Sequence, residues 1–301
     1  MLLNGMLYNS EAWHALKYEE IKLLEKVDEH LLRLLVRGHS KAPIEFFYLE
    51  AGATPIRFII SCRRVLYLQT LLHRSENELT RRIYTAQKEE PLHGDFFQLV
   101  QEDLQLLGGE MSDIYIQQTS KASFKKEVKK KTKVAAFNYL KSLQAQHSKI
   151  KDIQYPCFDT QKYMTSQMFT NREVNLLHAL RSRSVNVKCN FSFKYKEDLS
   201  CPLGCVASDS QSHILDCTFL NKYLKTREAA SSKVRYEDIF GDLLKQKEAT
   251  NIFMQLIKIR ESLLDNNLRC KTAPSNSDNI ELLENNDYLP VGTVHCSSGI
   301  Q

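Results

Sequence analysis

The chain has 301 residues, 43% hydrophobic and 26% charged, enough to bury one large or two modest cores. Its 10 glycines and 7 prolines are too few for an all-β protein punctuated by tight turns. The net charge of +5 hides a strong asymmetry: residues 120–150 hold nine lysines against one acid, Glu127, a local charge of +8 that leaves the remainder about −3.

From the N-terminus, Ile21, Leu24, Val27, Leu31, Leu34 and Leu35 recur at helical spacing over 18–37, and Gly38 suits a helix stop. Pro43 opens a second, short helix that ends at Gly52. Thr54 and Pro55 start a third that runs toward His73, with Ile59 and Leu66 on its apolar stripe. Ser75 with Glu78 forms a capping box for the next helix. The segment 95–107 is amphipathic and stops at Gly108-Gly109. Phe124, Val128, Ala135 and Tyr139 then make a thin apolar stripe among lysines, so one long helix is expected to about His147. Residues 148–169 read as a connector. Thr170 and Glu173 form a second capping box, opening a helix to about Leu180. The stretch 181–196 is basic and aromatic and reads as partly extended, with Phe191 and Phe193 alternating on the buried side of a strand. Helices are expected over 236–245 and 248–264. From Asp265 onward Asn, Ser and Asp dominate, the composition of a disordered tail.

The eight cysteines come without a secretory signal at the start, since MLLNGMLYNSEAW lacks a basic leader, and no apolar run approaches the ~20 residues of a membrane span. A reducing intracellular compartment is the expectation, where clustered cysteines read as metal ligands before disulfides. The segment LSCPLGCVASDSQSHILDC supplies Cys201-x3-Cys205-x7-His213-x3-Cys217. Three thiolates and an imidazole are a closed tetrahedral set for Zn²⁺, with no position left for substrate, so the expected site is structural. A unit this small cannot bury its own core, and metal binding would supply its folding energy. Cys189 is an outside candidate as a further ligand.

Two surfaces point to nucleic acid. Lys121, Lys125, Lys126, Lys129, Lys130, Lys131 and Lys133 place seven point charges in 13 residues, suited to phosphates rather than bases. Arg181, Arg183 and Lys188, interleaved with Phe191, Phe193 and Tyr195, suit single strands held by charge and stacking. No paired aspartates for two-metal chemistry, no Walker loop, no Gly-x-Ser-x-Gly and no dinucleotide fingerprint occur. The chain is therefore expected not to be an enzyme, and no small-molecule substrate is evident.

The order of these segments resembles the part of non-LTR (LINE-type) retrotransposon reverse transcriptases that follows the polymerase palm. The resemblance is carried by YNSEAWHALKYEEIKLLEKVDEHLLRLLV, FYLEAGATPIRFIISCRRVLYLQTLL, HGDFFQLVQEDLQLL, SKASFKKEVKKKTKVAAFNYL, RSRSVNVKCNF, LSCPLGC, SHILDC and YEDIF with IKIRESLL, over roughly residues 1–264. It implies a mainly α chain: a thumb-like helical domain 1–110, a basic helical connector 111–198, a Cys-Cys-His-Cys zinc knuckle 199–222, C-terminal helices 223–264 and the tail 265–301. The family's palm with its metal-binding aspartates, and its endonuclease, have no counterpart here, and Met1 would be an internal methionine of a longer frame. The family usually has two residues between the first two cysteines, where this chain has three. The implied role is accessory: holding template RNA or target DNA. The alternative is a vestigial or protein-interaction module in which the apolar surface that met the palm meets another protein or nothing.

Overall fold

The computed structural model describes residues 5–13, 16–36, 41–109, 111–195, 198–223 and 234–272. The fold is mainly helical, and the described residues contain no strand, only an isolated antiparallel bridge between Ser200 and Ser208. The helices are α1 (Tyr18–Val36), α2 (Ile44–Ala51), α3 (Ile56–Leu72), α4 (Leu79–Glu89), α5 (Phe96–Leu106), α6 (Asp113–Gln118) and α7 (Lys121–Gln146). After them come α8 (Lys162–Thr165), α9 (Asn171–Arg181), α10 (Ser192–Tyr195), α11 (Gln211–Asp216), α12 (Thr218–Asn221) and α13 (Leu243–Thr272), with 3-10 turns at Ser10–Ala12, Lys188–Phe191 and Tyr236–Phe240.

Local chemistry explains most of the ends. Pro43 caps α2 and Gly52 closes it at φ 59°. A side chain on Gly52 would drive a Cβ to 2.6 Å from the Asp159 carbonyl carbon, so the close approach of the 159–160 backbone requires glycine there. Asp95, Ser112 and Ser120 cap α5, α6 and α7 by accepting backbone N–H bonds. Thr170 and Glu173 make the reciprocal capping box at the start of α9. Ser75 and Glu78 instead form a turn before α4, whose first residue is Leu79.

Two large apolar cores, with a small third cluster of Leu7, Ile56 and Ile60, organise the described residues. The first joins α1 to α7 and the segment to Phe158, with Phe46, Phe47, Phe58, Val65, Leu68, Phe124 and Val128 at its centre. The second runs from Tyr163 to Leu256 and gathers α9, Cys201, Cys217, α11, α12 and α13. The basic helix expected as part of a connector is thus built into the first core, packed on α3 and α2. Its buried line is Phe124, Val128, Thr132, Ala136, Leu140 and Gln144. Steps of four residues advance that line by about 40° each, so it winds around the helix rather than keeping to one side.

A buried ion pair joins the two cores. Arg181 of α9 donates to Glu50 of α2, Nε to Oε1 at 3.0 Å, while Tyr155 and Tyr163 donate their hydroxyls to the same carboxylate at 2.7 Å each. Arg181 also donates to the Ile239 carbonyl at 3.1 Å. Burial, with Glu50 second, pushes both tyrosine hydroxyls well above their usual range, so they stay protonated donors. His178 is boxed edge-on by Phe46, Phe47 and Tyr163. Neither ring nitrogen has a hydrogen-bond partner, and burial pulls its pKa down to about 4.

Four expectations change. First, α1 turns its stripe differently: Asp28, Leu32 and Val36 are buried, Leu24 and Leu31 half-buried, and Leu23, Val27, Leu34 and Leu35 exposed. Tyr48 donates to Asp28 at 2.6 Å, so one buried acid orients the helix that the leucines alone leave ambiguous. Ile59 and Leu66 are likewise half-buried. Second, 188–195 is turn and helix, so alternation fails: Phe191 is buried, but Phe193 is 74% exposed. Third, the last part is a 3-10 turn and one long helix, α13, rather than two helices broken near 246. Fourth, 265–272 is helical rather than tail. Gly38 and the rest of the expected disordered tail, from 273, lie outside the described residues.

Candidate metal centre and nucleic-acid interface

Cys201, Cys205, His213 and Cys217 converge, and their ligand atoms all lie within 4.8 Å of one another. The first two sit on a small loop pinned by Cys201 N–H to the Ala207 carbonyl at 3.0 Å and Gly204 N–H to the Cys201 carbonyl at 3.1 Å. Gly204 adopts φ +90°, and a Cβ there would meet nothing closer than 3.9 Å, so its need is conformational rather than spatial. The third residue between the two cysteines is absorbed in this turn. Ser210 caps α11 by accepting from the His213 N–H, which aims the imidazole, and Cys217 lies at the junction of α11 and α12.

The four groups fit a tetrahedral cation. Thiolates at about 2.3 Å from a tetrahedral Zn²⁺ lie about 3.8 Å apart, and Cys205 Sγ and Cys217 Sγ are 3.5 Å apart. His213 Nε2 is buried and has no hydrogen-bond partner, an orphan that a metal would satisfy. The Thr218 hydroxyl, with help from the Cys217 thiol, holds the Cys205 thiol below its usual range, whereas burial pushes Cys217 up. Cys189 stands outside the cluster.

Asp209, between the ligands, carries the loop's polar frame. It accepts from the Lys188 N–H at 2.8 Å and from Arg260 Nη2 at 2.8 Å, and its own N–H donates to the Leu199 carbonyl at 2.7 Å. Arg260 also donates to the Asn186 carbonyl at 2.9 Å, tying α13 to both sides of the loop. Neither residue carried a signal in the sequence, because an acid amid a polar loop and an arginine on an amphipathic helix are both commonplace.

Of the lysine block, Lys121, Lys125, Lys126, Lys129, Lys130 and Lys133 are exposed and Lys131 is half-buried. Lys131 pairs with Glu127 at 3.8 Å and Lys133 with Asp159 at 3.5 Å. The other five form no ion pair among the described residues. Lys121 and Lys125 join Arg63, Tyr8 and Tyr67 around an open groove of about 490 Å³.

The second basic set divides. Arg181 is not a surface contact: it is 3% exposed and bound to Glu50, so its charge serves the junction of the cores. Lys188 is mostly covered and pairs with Asp198 at 2.7 Å. Arg183 is exposed, with Asp152 at 3.6 Å. Lys149, counted within the basic block but given no role, faces the buried Phe191 ring at 4.8 Å, with Lys41 at 4.5 Å from the same ring.

No helix of the described residues is long and apolar enough to cross a membrane. No protein-family model, no curated protein and no solved structure matches the chain.

Proposed function

We propose that this chain is a non-catalytic nucleic-acid-binding module, corresponding to the post-palm part of a non-LTR reverse transcriptase, with a structural zinc ion in the Cys201, Cys205, His213 and Cys217 cluster. One observation carries the reading. A helix locked along one winding line into the first core presents Lys121, Lys125, Lys126, Lys129 and Lys130 to solvent without ion-pair partners among the described residues. A solvated face built only for solubility mixes signs. A rigid row of one sign suits the phosphates of RNA or DNA.

Zinc is favoured by the donor set, since three thiolates and one imidazole select a soft, tetrahedral ion and leave no open position for chemistry. The metal would brace the loop, and the loop's own residues would hold α11 and α12 against α13.

Replacing Lys125, Lys126, Lys129 and Lys130 by Gln tests the binding role, because Gln and Lys are similar helix formers and the buried line is untouched. The slope of log K against log salt for single-stranded RNA should shrink by roughly 3, at ~0.7 per phosphate contact. Affinity should drop about equally for unrelated sequences. An unchanged affinity and slope would make the lysines a solvated face only. The exposed Leu23, Leu34 and Leu35 of α1 support a second reading, a protein-interaction module, which that outcome would promote.

A further inference from the structure

The end of α7 and the metal loop enclose a groove of about 490 Å³ lined by Lys149, Arg183, Ser192, Phe193, Ser210 and Tyr236, among others. We propose that this groove is a single-strand subsite, holding one phosphate between Lys149 and Arg183 and one unpaired base against Phe193. The proposal rests on the nucleic-acid reading above and adds where a single strand, as opposed to a duplex, is gripped.

Three independent features carry it. The first is the backbone at Arg183. Helix α9 ends in a Schellman motif, with Ser184 N–H to the Ala179 carbonyl at 2.7 Å and Arg183 N–H to the Leu180 carbonyl at 3.2 Å. The motif places Arg183 at φ 50°, the left-handed position that glycine normally fills. An arginine thus stands at a position that usually falls to glycine, and it lines the groove. The second is Phe193. It is 74% exposed, with the Phe191 ring in a T-shaped contact at 6.4 Å and the Lys194 ammonium 6.0 Å from its centroid, so an unpaired base would meet an aromatic surface beside a cation.

The third is the charge and rigidity of the walls. Lys149 and Lys41 converge on the Phe191 ring, and burial together with Lys41 lowers the Lys149 ammonium, so an anion beside Lys149 would favour its charged form. The wall behind is stapled. Gln211 donates to the Leu180 carbonyl at 2.8 Å and to the Tyr236 hydroxyl at 2.9 Å, and Asn190 donates to Gln211 at 2.7 Å. The volume lies in the ordinary range of ligand sites, about 300–1,000 Å³. A competing acid is Asp152, whose exposed pair with Arg183 at 3.6 Å is of the weak kind that a phosphate displaces.

The test uses the full chain, a labelled single-stranded RNA of mixed sequence and a DNA duplex of the same length. Phe193→Ala should weaken single-strand binding roughly five- to a hundredfold and leave the duplex nearly unchanged. Arg183→Gly should weaken single-strand binding and lower the salt slope by about 0.7, while thermal stability holds or rises, because glycine suits the left-handed position. Asp152→Asn should act in the opposite direction and tighten binding. Folded Phe193→Ala and Arg183→Gly proteins that bind the single strand like the parent would overturn the subsite even if the lysine face still binds. A parent chain that binds neither probe would overturn the nucleic-acid reading itself.

Discussion

The lysine-bearing helix α7 and the metal loop reach definition by opposite routes. Helix α7 is held by six side chains spaced four apart along its own sequence, each buried against α2, α3 or the segment after it. Its outer surface is then set by what remains. The loop 199–217 lends Cys201, Ile214 and Cys217 to the second core, and its shape also depends on side-chain atoms within 4.8 Å of one another, on Asp209 and on an arginine 51 residues further along. A long helix of this kind is held by packing one line of side chains on its neighbours, whereas a short loop would draw on the proposed metal and on distant polar partners.

Removing the proposed zinc ion should break this comparison most visibly. Zinc sites of this class are worth about 10–16 kcal/mol in isolated peptides, so chelation, or replacing Cys205 or His213 by Ala, should release about one Zn²⁺ per chain and unfold 199–222. Helix α7 should remain, as amide hydrogen exchange resolved by segment would show. Exchange that rises equally in both regions would mean that the loop and the first core are one cooperative unit. Phe124→Ala is the converse probe. It should lower stability by about 3–5 kcal/mol, read by urea unfolding, with the metal content of the folded fraction unchanged.

Acidification sharpens the comparison at the junction. The folded pKa of His178, about 4, lies below its ordinary 6.5. Between those values the unfolded chain takes up a proton that the folded chain refuses, so stability is full above pH 6.5 and falls as pH drops toward 4. The loss from this one group is about 3 kcal/mol, with none further below pH 4. Urea titrations of the parent and His178→Leu should differ by that slope. Parallel pH curves would show that His178 is not the group that senses acid. The smallest effect is expected at Gly204, where Ala need only adopt a positive φ. A loss of about 1 kcal/mol in the loop and weaker metal affinity are expected, and an unchanged affinity would mean the turn can absorb the third residue in another way.

Much of the helical frame was legible in the sequence because its signals are local. Pro43 and Gly52 bracket α2, Thr170 and Glu173 open α9, and the stripe from Phe124 to Tyr139 predicts α7 to within a residue of its end. The meeting of Cys201, Cys205, His213 and Cys217 was legible for the same reason, since cysteine and histidine at short spacing can meet within a small loop. Tertiary structure decided the rest, because each remaining choice depends on a partner far along the chain. Arg181 looks like a rim cation until Glu50, 131 residues away, draws it into the interior. The leucines of α1 are compatible with two faces until Tyr48 pairs with Asp28. Phe193 alternates with Phe191 on paper, yet a single turn of helix turns it outward, toward a groove whose walls come from four separate segments. Periodicity and caps are fixed within one or two turns of chain, but a buried charge is tolerated only where a distant counter-charge completes it.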